Sequence, residues 1–171
     1  MRLLILTATL LLAATNYAQE LKVKMEGVKI DFVADMQNTS GSVSGFVAKI
    51  LFNTDDLASS VITGTVSVKT LETGNTKRDE HLKSADYFDA ETYPTMSFIS
   101  GEIKLMGDHF EMIGKMKIKN IEREEKISFT FVDNIFSAEC TIQAANYDLG
   151  SFAKKKPENT NVKISMSIPV E

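Results

Sequence analysis

The chain has 171 residues, of which 43% are hydrophobic and 25% charged, and its formal net charge at pH 7 is −4. This length suits one domain with a well-buried core, and the acidic balance argues against nucleic acid, which requires a basic protein face. The single cysteine, Cys140, has no partner for an internal disulfide, so the apolar core must stabilise the fold.

The first 18 residues have the pattern of a secretory signal peptide. Arg2 precedes the apolar stretch 3–14, which is shorter than the roughly 18–20 residues that a membrane-spanning helix needs. Cleavage is expected after Ala18; the alternative is that the segment forms a buried first helix. We therefore predict an exported protein, periplasmic or alternatively secreted, with residues 1–18 as signal peptide. Residues 19–171 are then one domain without stable membrane insertion or a lipid anchor.

Alternation of apolar and polar side chains with a period of two recurs along the rest of the chain and predicts β-strands. The apolar positions of the successive runs are Val28, Ile30, Phe32, Ala34 and Met36; Phe46, Ala48, Ile50 and Phe52; Ile62, Val66 and Val68; Met96 and Phe98; Ile103 and Leu105; Met116 and Ile118; Ile127, Phe129 and Phe131; Phe136, Ala138, Cys140 and Ile142; and Val162, Ile164, Met166, Ile168 and Val170. Turn-rich connections such as Gly107-Asp108 predict hairpins, hence mostly antiparallel neighbours. The sequence predicts eight or nine strands in an all-β barrel or sandwich.

One long connection breaks the strand pattern. Residues 77–88 form the only credible helix, with Thr76 as its predicted cap and Asp79 placed to bond back to that cap. Pro94 marks the point where the chain leaves this excursion and begins the next strand. Long connections in compact domains are often functional lids.

Catalytic groups are sparse in this sequence. His81 and His109 lie outside any metal-binding motif, and Cys140 falls on the apolar face of a strand, where a thiol is inert. The basic run 154–156 is better explained as a solvated loop than as a polyanion site. We therefore predict a protein that is not an enzyme and that uses no metal and no cofactor.

The apolar content leaves two alternatives open for the barrel interior. The chain has ten Phe and eight Met but no Trp, and most of these residues follow the alternating apolar phase. About eight strands give a barrel whose interior is either filled by side chains or just wide enough for one ligand. Composition and phase are equally compatible with a filled and a hollow barrel.

A long ordered motif lies between Thr73 and Phe98. It contains a Gly-Asn turn, an Arg-Asp pair, a His-Leu pair, an Asp-Tyr-Phe-Asp cluster and Tyr-Pro-Thr before a strand. This motif resembles the signature of the YceI-like family of exported lipid-binding proteins. The resemblance extends over about residues 25–170, through Gly45-Phe46, Gly114–Lys119 and Tyr147–Gly150. The family's Trp-x-Ile-Asp and His-Ser elements are absent near the N-terminus of this chain.

The resemblance implies a lipocalin-like antiparallel β-barrel of about eight strands with one short helix. Its apolar interior would hold a long chain such as a polyprenyl or quinone tail, which favours the hollow barrel. The function that follows is a carrier or sequestering protein for an isoprenoid or other lipid. Separately, we expect a monomer or homodimer. The alternative is a filled-barrel envelope stress or interaction protein without a small-molecule ligand, and a weaker one is an enzyme that uses the cavity.

Candidate site residues come from strand phase and from the motif. Strand phase predicts these lipid-binding wall residues: Phe32, Phe46, Ile50, Val66, Phe98, Ile118, Phe129 and Phe131. The motif predicts these gate or rim residues: Arg78, Asp86, Tyr87, Phe88 and Tyr93. Arg78 is expected to pair with Asp79 or Asp86 and to hold the helix on the barrel rim. The helical excursion is interpreted first as an architectural element and second as a ligand gate.

Overall fold

The computed structural model describes residues 19–150 and 157–171, so the predicted signal peptide and the basic run 154–156 lie outside the described residues. The described elements are β1 (Glu20–Leu21), β2 (Lys29–Ala34), β3 (Thr39–Ser42), β4 (Val47–Leu51), β5 (Val61–Ser67), α1 (Thr76–Lys83), β6 (Thr95–Met106), β7 (His109–Ile118), β8 (Ile121–Val132), β9 (Ile135–Gln143) and β10 (Asn161–Pro169). Several single 3-10 turns connect them. No helix in this part of the chain is long and apolar enough to cross a membrane.

All ten described strands belong to one antiparallel sheet with the order β1-β4-β5-β6-β7-β8-β9-β10-β2-β3. The sheet curls, and backbone hydrogen bonds join each of its edges, β1 and β3, to another part of the chain. Lys22 donates its N–H to the carbonyl of Glu171 at 2.9 Å, which carries the chain after β1 across to the end of β10. Ser42 and Glu72 exchange two backbone hydrogen bonds of 2.8 and 3.0 Å, which join the end of β3 to the segment after β5. The predicted all-β, lipocalin-like antiparallel barrel with one short helix is confirmed.

Gly41 permits one of these edge contacts. A Cβ at this position would lie 2.3 Å from the carbonyl oxygen of Glu72 and 2.5 Å from the ring of Phe32. A residue with a side chain would therefore force β3 away from the segment after β5, which is why this strand carries glycine where it meets Glu72.

The strand count differs from the predicted eight or nine for two physical reasons. β1 and β3 have two and four residues, too few to show an alternating pattern. Conversely, the runs at Met96 and Ile103 belong to one strand, β6, in which a bulge between Ser100 and Glu102 shifts the register. The bulge places one extra residue in the strand and so breaks the alternation without ending the strand.

The helix is shorter than predicted and has a different cap. α1 covers eight residues and ends at Lys83, after which the chain continues to Tyr93 in turns. Asn75, rather than Thr76, is the N-cap, since its side-chain oxygen accepts the N–H of Arg78 at 3.2 Å. The extended backbone of Asn75 (φ −135°) suits a capping residue, whereas Thr76 is already helical.

The two ends of the barrel are packed differently. The turns at Gly107-Asp108 and Asp133-Asn134 lie at one end, here called the hairpin end. Five phenylalanines fill the barrel there and are here called the aromatic floor: Phe52, Phe110, Phe129, Phe131 and Phe136. Phe52 is central, with edge-on contacts to the other four at ring-centroid distances of 5.3 to 5.6 Å. Such edge-to-face contacts favour dense packing.

At the opposite end, here called the helix end, a second cluster packs under α1 and the turns that follow it. Its buried members are Ile118, Ile142, Ala144, Tyr147 and Leu149. Tyr87 and Phe88, which follow α1, pack against this cluster. The helical excursion therefore covers the helix end of the barrel.

Candidate functional site

A cavity of about 350 Å³ lies inside the barrel between the aromatic floor and the helix end. Its wall is built mostly from aliphatic, Met and Phe side chains on seven strands, together with residues of α1 and of the turns at the helix end. None of the five floor phenylalanines lines it. The volume falls within the range of about 300 to 1,000 Å³ that is typical of small-molecule sites.

Five of the eight predicted wall residues line this cavity: Phe32, Phe46, Val66, Phe98 and Ile118. The other three, Ile50, Phe129 and Phe131, point inward but lie in the packed part of the core. Phe129 and Phe131 belong to the aromatic floor. Strand phase thus assigned the correct face of the sheet, whereas it carries no information on depth along the barrel axis. Contact of these eight residues with a lipid stays a prediction.

Several further residues line the cavity that were not named as wall residues. Most of them have the same strand phase as the predicted ones: Ile30, Ala34, Met96, Met116, Ile127, Cys140, Ile142, Val162, Ile164 and Met166. The alternating pattern was sufficient to find this group. Leu71, Leu82 and Leu149 also line the cavity, but they lie outside the strands, where no periodic signal was available.

Some of the predicted rim residues line the cavity and others do not. Arg78, Tyr87 and Phe88 line the cavity at its helix end. Asp86 is exposed and Tyr93 is half-buried, and neither reaches the cavity wall. A role of these five residues as a gate stays a prediction.

Arg78 does not form the predicted ion pair with Asp79 or Asp86, since the ion pairs among the described residues involve none of these three side chains. Its Nε–H donates to the hydroxyl of Thr73 at 2.8 Å, and a terminal N–H donates to the Thr73 carbonyl at 3.0 Å. The Thr73 hydroxyl in turn donates to a carboxylate oxygen of Asp79 at 2.5 Å. Thr73 therefore joins the two charged residues, because the loop before α1 brings its hydroxyl between them.

Tyr87 is held between α1 and the turn before the undescribed segment. Its ring lies edge-on to the imidazole of His81 with centroids 4.9 Å apart. On another side it lies against Gly150, where an added Cβ would come within 2.5 Å of the ring. These contacts fix an aromatic side chain at the helix end of the cavity.

Cys140 and Tyr147 are two buried titratable groups near the cavity. Burial, with a smaller contribution from the Glu125 carboxylate, raises the pKa of the Cys140 thiol to about 12. The phenol of Tyr147 donates to Glu125 Oε1 at 2.7 Å, and burial followed by this hydrogen bond raises the pKa of Tyr147 above its ordinary value. Both groups are therefore protonated at neutral pH, and the Cys140 thiol is a poor nucleophile.

Ionisable side chains on the cavity wall are few. Besides Cys140 and Tyr87, the described wall contains Arg78 and His81 and no Asp, Glu or Lys. In residues 19–150 and 157–171, no three His, Cys, Asp or Glu side chains lie close enough together to hold a metal ion. What the site offers chemically is an apolar cavity with a basic group at one end.

This chain is similar to known proteins in sequence and in fold. A model of the YceI-like domain matches residues 21–171. A UPF0312 protein of Photorhabdus laumondii is 29% identical over 83 residues, which cover 48% of this chain and 43% of that protein. The match thus spans under half of that relative's length.

Two solved structures share the fold. The crystal structure of BcnA from Burkholderia cenocepacia superposes with a TM-score of 0.79 at 23% identity and covers 86% of this chain and 98% of that one. A polyisoprenoid binding domain from Saccharophagus degradans, implicated in plant cell wall breakdown, has a TM-score of 0.61 at 12% identity, covering 90% of this chain and 97% of that one. From the family match over residues 21–171, this chain belongs to the YceI-like domain family.

Proposed function

We propose that this protein binds one long apolar chain, an isoprenoid or another lipid, inside its barrel and acts as an exported carrier or sequestering protein. The observation that carries the proposal is the cavity of about 350 Å³ with an almost wholly apolar wall. It lies beside an aromatic floor that packs tightly without leaving such a space. A barrel that served only as a scaffold would gain stability by filling this volume.

Binding of this kind requires no catalytic group. Each Å² of apolar ligand surface removed from water contributes roughly 25 cal/mol, and a chain that is surrounded on all sides accumulates this along its length. Met side chains adapt to ligands of irregular shape, and Met96, Met116 and Met166 all line the cavity. The polyisoprenoid binding described for the Saccharophagus domain supports the same ligand class here.

The predicted wall and rim residues would have different roles in ligand binding. Phe32, Phe46, Val66, Phe98 and Ile118 would contact the ligand along its length. The inward-facing residues Ile50, Phe129 and Phe131 would support the wall and floor and would not touch a ligand confined to this cavity. Tyr87 and Phe88 would cover the end nearest α1.

Filling the cavity is the direct test. Ala34 lines the cavity on β2, and its neighbour Val33 faces outward with 43% of its surface exposed. Ala34→Phe should block the cavity, whereas Val33→Phe adds the same ring outside the barrel. We expect geranylgeraniol to bind the wild-type protein and Val33→Phe with equal affinity, and Ala34→Phe at least tenfold more weakly, as measured by displacement of a fluorescent lipid.

Equal binding to all three proteins would place the lipid outside the barrel and overturn the proposal. Absence of binding to the wild-type protein would favour the filled-barrel interaction protein instead. Export needs a separate test. If the chain is cleaved after Ala18 and exported, the protein recovered from the periplasmic fraction should have lost the mass of residues 1–18.

A further inference from the structure

We infer that Gly64 and Phe46 set the width of the cavity and thereby determine which cross-section of apolar chain the barrel accepts. This inference rests on the proposed function, since the width matters only if a chain enters the cavity. It follows from the way in which phenylalanine rings of the cavity wall pack against the sheet.

Three of the phenylalanines that line the cavity lie against a glycine of a neighbouring strand. The pairs are Phe32 with Gly41, Phe46 with Gly64, and Phe98 with Gly114. A Cβ added to these glycines would come within 2.5, 3.0 and 2.6 Å of the respective ring. Each ring thus occupies the space that a side chain on the neighbouring strand would otherwise fill. It therefore extends less far into the cavity than it would above a larger residue.

Of the three glycines, Gly64 is the one whose contact is made by the ring alone. At Gly41 and Gly114, an added Cβ would also lie 2.3 Å from a backbone carbonyl oxygen. At Gly64, apart from its neighbours in the chain, the only described atoms within 4 Å of an added Cβ belong to the Phe46 ring. Gly64 also has no positive φ. The backbone at this position would therefore accept alanine, and the ring is what an added methyl group would meet.

Gly64 lies in the middle of β5, where it pairs with Ala48 on β4 and with Phe98 on β6. Glycine weakens a strand, because it loses more conformational freedom on folding than other residues and has no side chain to pack. Gly64 itself lines the cavity. A glycine at this point thus lowers the stability of β5 and leaves space open inside the barrel.

An added methyl group at Gly64 would narrow the cavity. Its carbon would lie 3.0 Å from Cε2 and 3.6 Å from Cζ of the Phe46 ring, whereas carbon atoms pack best at about 3.5–4.0 Å. The edge of the ring must therefore move. Since Phe46 and Gly64 both line the cavity, the free space beside the ring lies there. A branched chain, which is wider than an unbranched one, would lose its fit first.

The test compares phytanol with hexadecanol, which have main chains of equal length and the same hydroxyl group but differ in the methyl branches of phytanol. Gly64→Ala should weaken the binding of phytanol about tenfold and the binding of hexadecanol less than about twofold, because a methyl group that no longer fits has effects of this size. In the Phe46→Leu background, which lacks the ring, Gly64→Ala should change the affinity for phytanol less than about twofold. Displacement of a fluorescent lipid measures each affinity.

Gly101→Ala is the matched control. It adds the same methyl group to a glycine of β6 that does not line the cavity, where the added Cβ meets a contact of similar closeness, 3.2 Å to the carbonyl oxygen of Ile113. Unchanged affinities for both alcohols in Gly64→Ala, or equal weakening of both, would overturn the inference. An equal effect of Gly101→Ala would do the same, as would a loss for phytanol of the same size in the Phe46→Leu background.

If Gly64→Ala does not fold, as judged by circular dichroism, Phe46→Leu alone decides. Its shorter side chain widens the cavity, so the affinity for phytanol relative to that for hexadecanol must rise, and an unchanged ratio would contradict the role of the ring. Failure of the wild-type protein to bind either alcohol would instead contradict the proposed lipid function itself.

Discussion

The ring of Tyr87 lies against the backbone of Gly150 so closely that a Cβ on the glycine would come within 2.5 Å of the ring. This contact joins the segment after α1 to the turn that follows β9, and both cover the helix end of the cavity. Gly150 is buried and has a positive φ of +77°. A residue with a side chain would therefore be disfavoured here both by the backbone conformation and by the contact with Tyr87. The position of the aromatic cover therefore depends on this residue.

Gly150→Ala should destabilise the protein by displacing Tyr87. Gly107→Ala is the matched control, because Gly107 has a similar φ of +73° but has no atom within 4 Å of an added Cβ. Both variants incur a backbone cost of roughly 1–2 kcal/mol, and Gly150→Ala adds about 1–3 kcal/mol for overpacking. Urea unfolding measures the difference; equal losses would show that Tyr87 moves aside without cost.

Truncation of a phenylalanine should cost more in the floor than on the cavity wall. Phe52→Ala removes a ring packed against four others and should lower the free energy of unfolding by about 3–5 kcal/mol. Phe32→Ala should cost clearly less in delipidated protein, because the Phe32 ring already faces the cavity on one side. Similar losses for the two variants in chemical denaturation would indicate that the cavity is filled.

The Cys140 thiol should be unreactive in the folded protein. Its pKa of about 12 and its burial predict negligible reaction with a charged disulfide reagent at pH 8. Ser137→Cys provides the control, because Ser137 is exposed on the outward face of the same strand. The introduced thiol should react readily, as followed by absorbance; fast loss of both thiols would contradict the burial of Cys140.

The raised pKa of Cys140 also predicts a dependence of stability on alkaline pH. The folded state holds the thiol proton more tightly than a thiol with the ordinary pKa of 9.0 does. The contribution of this group to the free energy of unfolding is therefore fully present below about pH 9. It is lost as pH rises from 9 toward 12. Unfolding free energies measured over this range should fall more steeply for the wild-type protein than for Cys140→Ala, and parallel curves would argue against the shift.

Tyr147→Phe should destabilise the helix end. Tyr147 is 0% exposed, and its phenol donates to Glu125 at 2.7 Å, so the variant leaves a half-buried carboxylate without this donor. Hydrogen bonds to charged groups contribute about 1.5–3 kcal/mol, which is the loss we expect in urea unfolding. A double-mutant cycle with Glu125→Gln isolates the pair, and a coupling energy near zero would show that the contact is not stabilising.

Alternation in the sequence was enough to predict the class of fold and the face on which most cavity residues lie. Phe98 and Ile118 line the cavity, because a side-chain period of two determines which face of a strand is inside. Phe129 has the same phase but lies in the floor, since depth along the barrel depends on strand tilt and register between strands.

The helix end was harder to predict. Thr73 lies in a loop, where the sequence has no periodicity, and its hydroxyl binds Arg78 only because the loop folds back before α1. The expected ion pair assumed that opposite charges close in sequence meet directly. Side-chain hydrogen bonds in loops depend on backbone turns that a single sequence does not specify.

The central claim is that the barrel holds a lipid, and organic extraction of the native purified protein followed by mass spectrometry tests it most directly. We predict about one molecule with a long apolar chain per protein from the wild type and from Val33→Phe, and a markedly lower amount from Ala34→Phe. A lipid-free extract from the wild type, together with no binding of added geranylgeraniol, would contradict the claim.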